Sequence, residues 1–316
     1  MNPTSVTTLP LVSEQLPRVV SHRLRSSLHA LKGSSFEVCL MILVIAGGVA
    51  LRVPDLDEYP FWVDEAESAI NALTILQHGY PTDTYLGLPI FENTLIQPWP
   101  DNPEYEFRDI SYSDRHVAVY HGWLPLYAIA ASFAISHIAP DAPDPLHPIK
   151  HDLNERRRIT RAARMPAVLF GAGFLVLVFV GANLIYGRDA AWAALILGSI
   201  HPWHIALSRQ ARYYSAQVLL STACCVLVWL MIRRGRWRHF VLAGLGFVLL
   251  FHTHLLSFVT AAMVVLFVSP MIVKHQKDAI VKMAAFCLIV AGGTLPWLVL
   301  TGFLTHQGHI PRAPSA

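Results

Sequence analysis

Residues 240–273 run for 34 positions without an Asp, Glu, Lys or Arg. As one helix the run would be about 51 Å long at 1.5 Å per residue, against a hydrocarbon core of about 30 Å. It therefore has to fold back on itself, and the polar triplet His252-Thr253-His254 is where it can turn. A backbone in lipid must satisfy its own hydrogen bonds, which leaves helices as the structure for such runs. Five more apolar stretches follow the same logic: Phe36–Val53, Met165–Tyr186, Ala190–Ser208, Tyr213–Ile232 and Met283–Thr305. With residues 240–273 counted as two, the expectation is an all-α polytopic membrane protein of about seven spans. Glu37 and Arg52, near the ends of the first stretch, are expected to snorkel toward water. Only 14% of the residues are charged and the mean hydropathy is +0.44. A soluble domain carries about 25% charged residues, so ordinary soluble classes are excluded.

The acid of the chain is concentrated in one place. Seventeen of the 21 Asp and Glu lie between Asp55 and Glu155, inside a polar stretch of residues 53–161. We read this stretch as the first external loop, with residues 1–35 as a flexible cytoplasmic tail and 306–316 as a short external tail. Residues 36–305 then form one transmembrane module. The basic residues before the first stretch suit a signal anchor that stays in place, because no small-residue cleavage pattern follows Leu51. Two interfacial helices are expected in the loop. Trp62–His78 has Trp62, Ala66, Ala69, Ile70, Leu73 and Leu76 at helical spacing, with Gly79 and Pro81 as stop signals. Val117–Ile138 has its best apolar core at Gly122–Ser136, too short to span. If it does not span, Arg233–Arg238 and Lys274–Lys282 fall on the cytoplasmic side with the basic N-terminal tail, as the positive-inside rule prefers. Pro81–Arg115 and Asp141–His151 read as irregular loop. All four cysteines (Cys39, Cys224, Cys225 and Cys287) sit in apolar runs without disulfide or zinc spacing.

Three groups of residues could carry chemistry. Asp64 and Glu65 adjoin at a helix start, where the helix dipole favours their ionised forms. Partial desolvation at the membrane surface acts the other way, and a carboxylate so placed can serve as base toward a hydroxyl. The alternative is that Asp64 caps the helix and Glu65 faces solvent; composition leaves both open. Arg209 and Arg212 lie three apart, on one helical face, and could grip a phosphate or anchor to headgroups. Tyr213 and Tyr214 beside them suit a lipid belt or a sugar-stacking wall. His121, His201, His204, His252 and His254 are unusual in segments this apolar, and fit either satisfied structural groups or a metal site.

In this order, the residues resemble the GT-C superfamily of polyprenyl-phosphate-sugar-dependent glycosyltransferases. That group contains protein O-mannosyltransferases, lipid A aminoarabinose transferases and bacterial Rgt-type enzymes. The likeness rests on Trp62-Val63-Asp64-Glu65-Ala66 after the first span and on His121-Gly122-Trp123-Leu124-Pro125 opening the second loop helix. It continues with Arg164-Met165-Pro166 at the next span and with the Ser208–Tyr213 element. It covers roughly residues 36–300. The resemblance implies a GT-C-like fold with both loop helices at the interface, and an inverting transfer on the non-cytoplasmic face. Asp64 would be the catalytic base with Glu65 as its supporting neighbour; Arg209, Arg212, Tyr213 and His121 would contact substrate.

The implied partners are a polyprenyl-phosphate-sugar donor, a lipid, glycan or protein hydroxyl acceptor, and membrane lipids, with no nucleic acid. A divalent metal ion is a possible cofactor. However, the Asp that O-mannosyltransferases carry after the Ser-Arg element is replaced here by Tyr213, Tyr214 and Ser215. The implied location is the bacterial inner membrane, multi-pass, N-terminus in the cytoplasm. Relatives continue beyond this length, and Gly308–Ala316 reads as an interrupted loop. An inactive truncated relative is one alternative, and a non-catalytic transporter or flippase of lipid-linked sugars is the competing class. It predicts paired interrupted helices and an internal repeat, neither of which the sequence displays.

Overall fold

The computed structural model describes residues 35–86, 88–90, 117–119, 122–140 and 153–303. In chain order the elements are α1 (Ser35–Ala50), α2 (Val63–His78), β1 (Thr84–Tyr85), β2 (Leu88–Pro89), α3 (Trp123–Ile135) and α4 (Leu153–Ile185). They continue with α5 (Arg188–Ile200), α6 (Pro202–Leu207), α7 (Tyr214–Arg234), α8 (Trp237–Phe251), α9 (Leu255–His275) and α10 (Ala279–Thr301). The protein is an all-α, multi-pass membrane protein. Among the described residues four helices, α4, α7, α9 and α10, are long and apolar enough to cross a bilayer. Their outer faces stay apolar: Phe267 is 86% exposed and Leu288 72%. In water that surface would aggregate; in lipid it needs no cover.

The 34-residue uncharged run turns where its length demands. Helix α8 ends at Phe251, and His254 opens α9 by accepting the Ser257 N–H on Nδ1 at 3.3 Å. The second loop helix is 13 residues, about 20 Å, short of a bilayer core. Helix α2 ends as expected, with Gly79 at φ 82° sending its N–H to Ile75 O.

Several expectations need correction. Helix α4 starts at Leu153, a dozen residues before the apolar stretch does: residues 153–158 are exposed, and Ile159, Ala162 and Ala163 then pack with α2 and α3. The stretch 190–208 is two helices, since Pro202 cannot continue the hydrogen-bond ladder and His201 caps a new start through its Nδ1. The stretch after Pro81 is not wholly irregular: β1 and β2 form a two-stranded antiparallel pair, Thr84 opposite Pro89. Finally, α2 buries Glu65, Glu67, Ser68, Asn71 and Thr74 along with Ala69, Ala72 and Ile75. Its polar side chains face protein, and Trp62 of the expected apolar stripe is exposed.

Two apolar clusters hold the assembly. One joins α2, α3 and the start of α4 through Ala72, Ile129, Phe133 and Ala163. The other joins α7 to α10 through Met231, Phe240, Phe247 and Phe286. Helix α4 connects the two halves by packing on α5 and α7, and α1 lies against α4 and α5. Pro166 sits inside α4 and has no N–H to give Ala162 O. Ser132 on α3 supplies the missing donor: its Oγ reaches Ala162 O at 2.6 Å. Arg52 does not snorkel. It is fully buried and donates to Gly48 O, to Ser199 O and Gly198 O (both 3.1 Å) and to His204 Nδ1 (2.7 Å). Those carbonyls close α1 and α5, so the cation sits at the negative ends of two helix dipoles.

Ser132→Ala removes the one donor reaching Ala162 O from α3. The expected cost is about 1–3 kcal/mol, the penalty for an orphaned buried acceptor, read as a lower melting temperature in detergent. Ser132→Thr, which keeps the hydroxyl, should lose less.

Candidate functional site

At the start of α2 the acidic pair divides. Trp62 is the N-cap and, among the described residues, offers no side-chain cap bond. Asp64 and Glu65 therefore occupy the first turn, where the dipole favours both, and the helical turn sends them in different directions. Glu65 is 1% exposed, and neither a solvent-facing nor a cap position describes it. Its Oε1 accepts Arg164 Nε (2.8 Å) and the Ala211 N–H (2.7 Å), and its Oε2 accepts Arg164 Nη2 (2.6 Å). Arg164 gives its remaining N–H groups to Leu56 O (2.7 Å), Tyr59 O (3.1 Å) and Pro60 O (3.2 Å). A guanidinium has five N–H donors, and all five are placed. The Phe61 ring lies 5.6 Å from the guanidinium carbon. One arginine thus fastens the 56–60 approach to α2 while its carboxylate partner fastens the turn before α7.

Asp64 keeps 30% of its side-chain surface exposed. Arg212 approaches it with Nη2 3.4 Å from Oδ2, and Nη1 donates to Asp64 O at 2.9 Å and to Ser68 Oγ at 3.3 Å. Arg212 is buried, and Ser208, Ala211 and Ser215 around it are buried as well, so the turn that carries it is fixed. Gly171 on α4 makes room for that turn: a Cβ there would meet Ser208 Oγ at 2.4 Å. Arg209 is half-buried and points elsewhere, donating from Nη2 to Pro54 O at 2.6 Å. Of the two arginines, then, Arg212 joins Asp64 and Arg209 ties down the loop before it.

Tyr213 extends the group. Its ring is 5.3 Å from the Arg212 guanidinium carbon and stacks on His254, with centroids 4.7 Å apart and planes at 20°. Ser257 Oγ lies 2.8 Å from His254 Nδ1, and Gln217 Nε2 donates to that hydroxyl at 2.6 Å. With Nδ1 accepting the Ser257 N–H, the neutral ring carries its proton on Nε2. Burial pushes His254 below the ordinary imidazole range. The turn that bears it also seats α3: Leu124 N–H bonds to His252 O at 2.7 Å, and a Cβ on Gly122 would meet that oxygen at 2.4 Å. His121 lies outside the described residues.

Three other histidines of the apolar segments have structural partners. His252 Nε2 is 2.9 Å from Gly293 O, His204 meets Arg52, and His201 Nδ1 caps α6. Among the described residues no three of His, Cys, Asp and Glu converge as a metal-ligand set. Comparison of the chain with family models, curated proteins and solved structures returned no match.

Sequence reasoning singled out Asp64, Glu65, Arg212 and Tyr213, and the structure brings these together. It missed His254 as their neighbour and Arg164 as the partner of Glu65. Arg164 carried a signal, the last of a run of arginines and two residues before a proline at the head of an apolar stretch. Its partner lies 99 positions away, which no local pattern reports.

Two outcomes follow. Glu65→Gln leaves the buried Arg164 guanidinium without its counter-charge, and should cost about 3–5 kcal/mol in a denaturant titration. His254 has a folded value below its unfolded one, near 6.5. Its contribution to stability is therefore complete above about pH 6.5 and lost as pH falls toward the folded value. Melting temperature should drop between pH 7.5 and 5, and less in His254→Asn, which caps a helix without titrating in this range.

Proposed function

We propose that this protein is an inverting glycosyltransferase of the GT-C type, moving a sugar from a polyprenyl-phosphate-linked donor to a hydroxyl acceptor. The observation that carries the reading is the partly exposed Asp64 carboxylate beside Arg212, with the stacked Tyr213–His254 pair next to them. A base for a hydroxyl must reach solvent or substrate, and Asp64 does so while Glu65 does not. The resemblance of the Trp62–Ala66 and Ser208–Tyr213 motifs supports the same assignment.

In this mechanism Asp64 takes the proton of the acceptor hydroxyl as its oxygen attacks the anomeric carbon from the face opposite the phosphate. The bond from that carbon to the phosphate oxygen breaks, and polyprenyl phosphate leaves with the electron pair. Arg212 stabilises the charge growing on the leaving oxygen, and Arg209 holds the 54 segment beside it. Tyr213, held by Arg212 and His254, lines the sugar site at its ring edge. Glu65 and Arg164 touch neither substrate; they fix the turn on which Asp64 and Arg212 meet. The same reading has about seven spans, a cytoplasmic N-terminus and a bacterial inner-membrane location, and the site faces away from the cytoplasm.

Asp64→Asn tests it. The carboxamide keeps the shape but cannot accept the proton, so polyprenyl-phosphate release from a mixed pool of lipid-linked sugars with an acceptor fraction should fall about 10²–10⁴-fold. Binding of the lipid-linked sugar should persist. Release by Asp64→Asn at the wild-type rate would remove the catalytic assignment, and release that ignores the acceptor would remove the transfer.

A further inference from the structure

The far end of α7 carries a second cluster of charge. Arg233, Arg234, Arg236 and Arg238 fall within six positions, and the neighbouring turn adds Lys274 and Lys277. The two turns are pinned together, because Gln276 Nε2 donates to Met231 O and to Ile232 O (3.0 Å) at the end of α7. Gly235, at φ 56°, lies against the Gln276 side chain, where a Cβ would meet Oε1 at 2.4 Å. The turn that carries Arg234 and Arg236 is therefore fixed against the one that carries Lys274 and Lys277, with Arg236 and Arg238 exposed beside it.

Held cations of one sign repel, yet among the described residues no carboxylate pairs with them. Arg234 Nη2 is buried and has no hydrogen-bond partner among the described residues. The same is true of His239 Nδ1, on a side chain only 3% exposed in the first turn of α8. That first turn has no side-chain cap among the described residues, so its N–H groups add a partial positive charge. A buried guanidinium nitrogen without an acceptor, beside further arginines and the uncapped start of a helix of 15 residues, has the chemistry of an anion site.

We infer that this cluster binds the phosphate of an anionic phospholipid headgroup. Two placements favour a lipid over free phosphate. Helix α7 is 21 residues, about 31 Å, so Arg234 reaches the border of a hydrocarbon core when Tyr214 lies at the other. Below the cluster, Arg238, Leu242, Leu245 and Leu249 share one face of α8, and the three leucines are 49%, 49% and 42% exposed. A headgroup at Arg234 and Arg238 would lay an acyl chain down that strip, with the half-exposed Trp237 at the interface. The site lies at the opposite end of α7 from Asp64 and does not depend on the transferase reading.

The test is binding of tail-labelled phosphatidylglycerol to the full chain in neutral detergent, with equally labelled phosphatidylcholine as the uncharged comparison. Phosphatidylglycerol should bind more tightly, and Arg234→Gln/Arg238→Gln should weaken it about thirtyfold, two juxtamembrane charges' worth. The exposed Arg236→Gln should weaken it several-fold without changing the melting temperature, which separates lost binding from lost folding. Arg156→Gln/Arg157→Gln/Arg158→Gln removes more charge from the exposed start of α4 and should change binding less than about twofold. Equal binding of the two lipids, or an equal loss in the triple variant, would overturn the site. Displacement of the labelled lipid by millimolar inorganic phosphate would overturn the lipid as occupant and leave phosphate itself.

Discussion

The ion pair between Arg164 and Glu65 is the contact on which the candidate site depends. It is bidentate, buried and complete, with every guanidinium N–H on an acceptor. Removing two charges from water is expensive, and attraction alone seldom offsets it. Here the offset comes from geometry. Three backbone carbonyls of the 56–60 segment and the Ala211 N–H share the pair, so one interaction satisfies groups from four parts of the chain. Only a planar, five-donor side chain can do this, and a lysine of the same charge would leave most of those acceptors empty.

The consequence is that neighbouring carboxylates do different work. Glu65 is spent on structure, and Asp64, one residue earlier, keeps an open edge beside Arg212. Arg212 is itself buried and bonded to the backbone oxygen of Asp64 as well as facing its carboxylate. The distance between the two therefore follows from the fold rather than from a flexible side chain. Arg52 solves the same problem of a buried cation in another way, with helix-end carbonyls and a histidine in place of a carboxylate.

The membrane character and the turns were legible in the chain. Thirty-four uncharged residues cannot cross a bilayer once, and His252–His254 was where they could bend. The start and stop of α2 were legible too, from the acidic pair and Gly79. The break at Pro202 was missed because a run of apolar residues looks continuous to a hydropathy average. The polar burial of α2 was missed because helical spacing of apolar residues marks the face that packs on α3 and says nothing of polar residues buried by partners far along the chain, as Glu65 is by Arg164.

What the sequence determined by itself was local: long uncharged helices, where they must bend, and an acidic helix start with two arginines further on. Composition and the 1.5 Å rise are enough for that. Which carboxylate is buried, which arginine answers it, and that Tyr213 stacks on His254 were decided only by the packing of α2, α4, α7 and the α8–α9 turn. Those pairings join residues far apart in the chain, and their partners become neighbours only once the helices have packed.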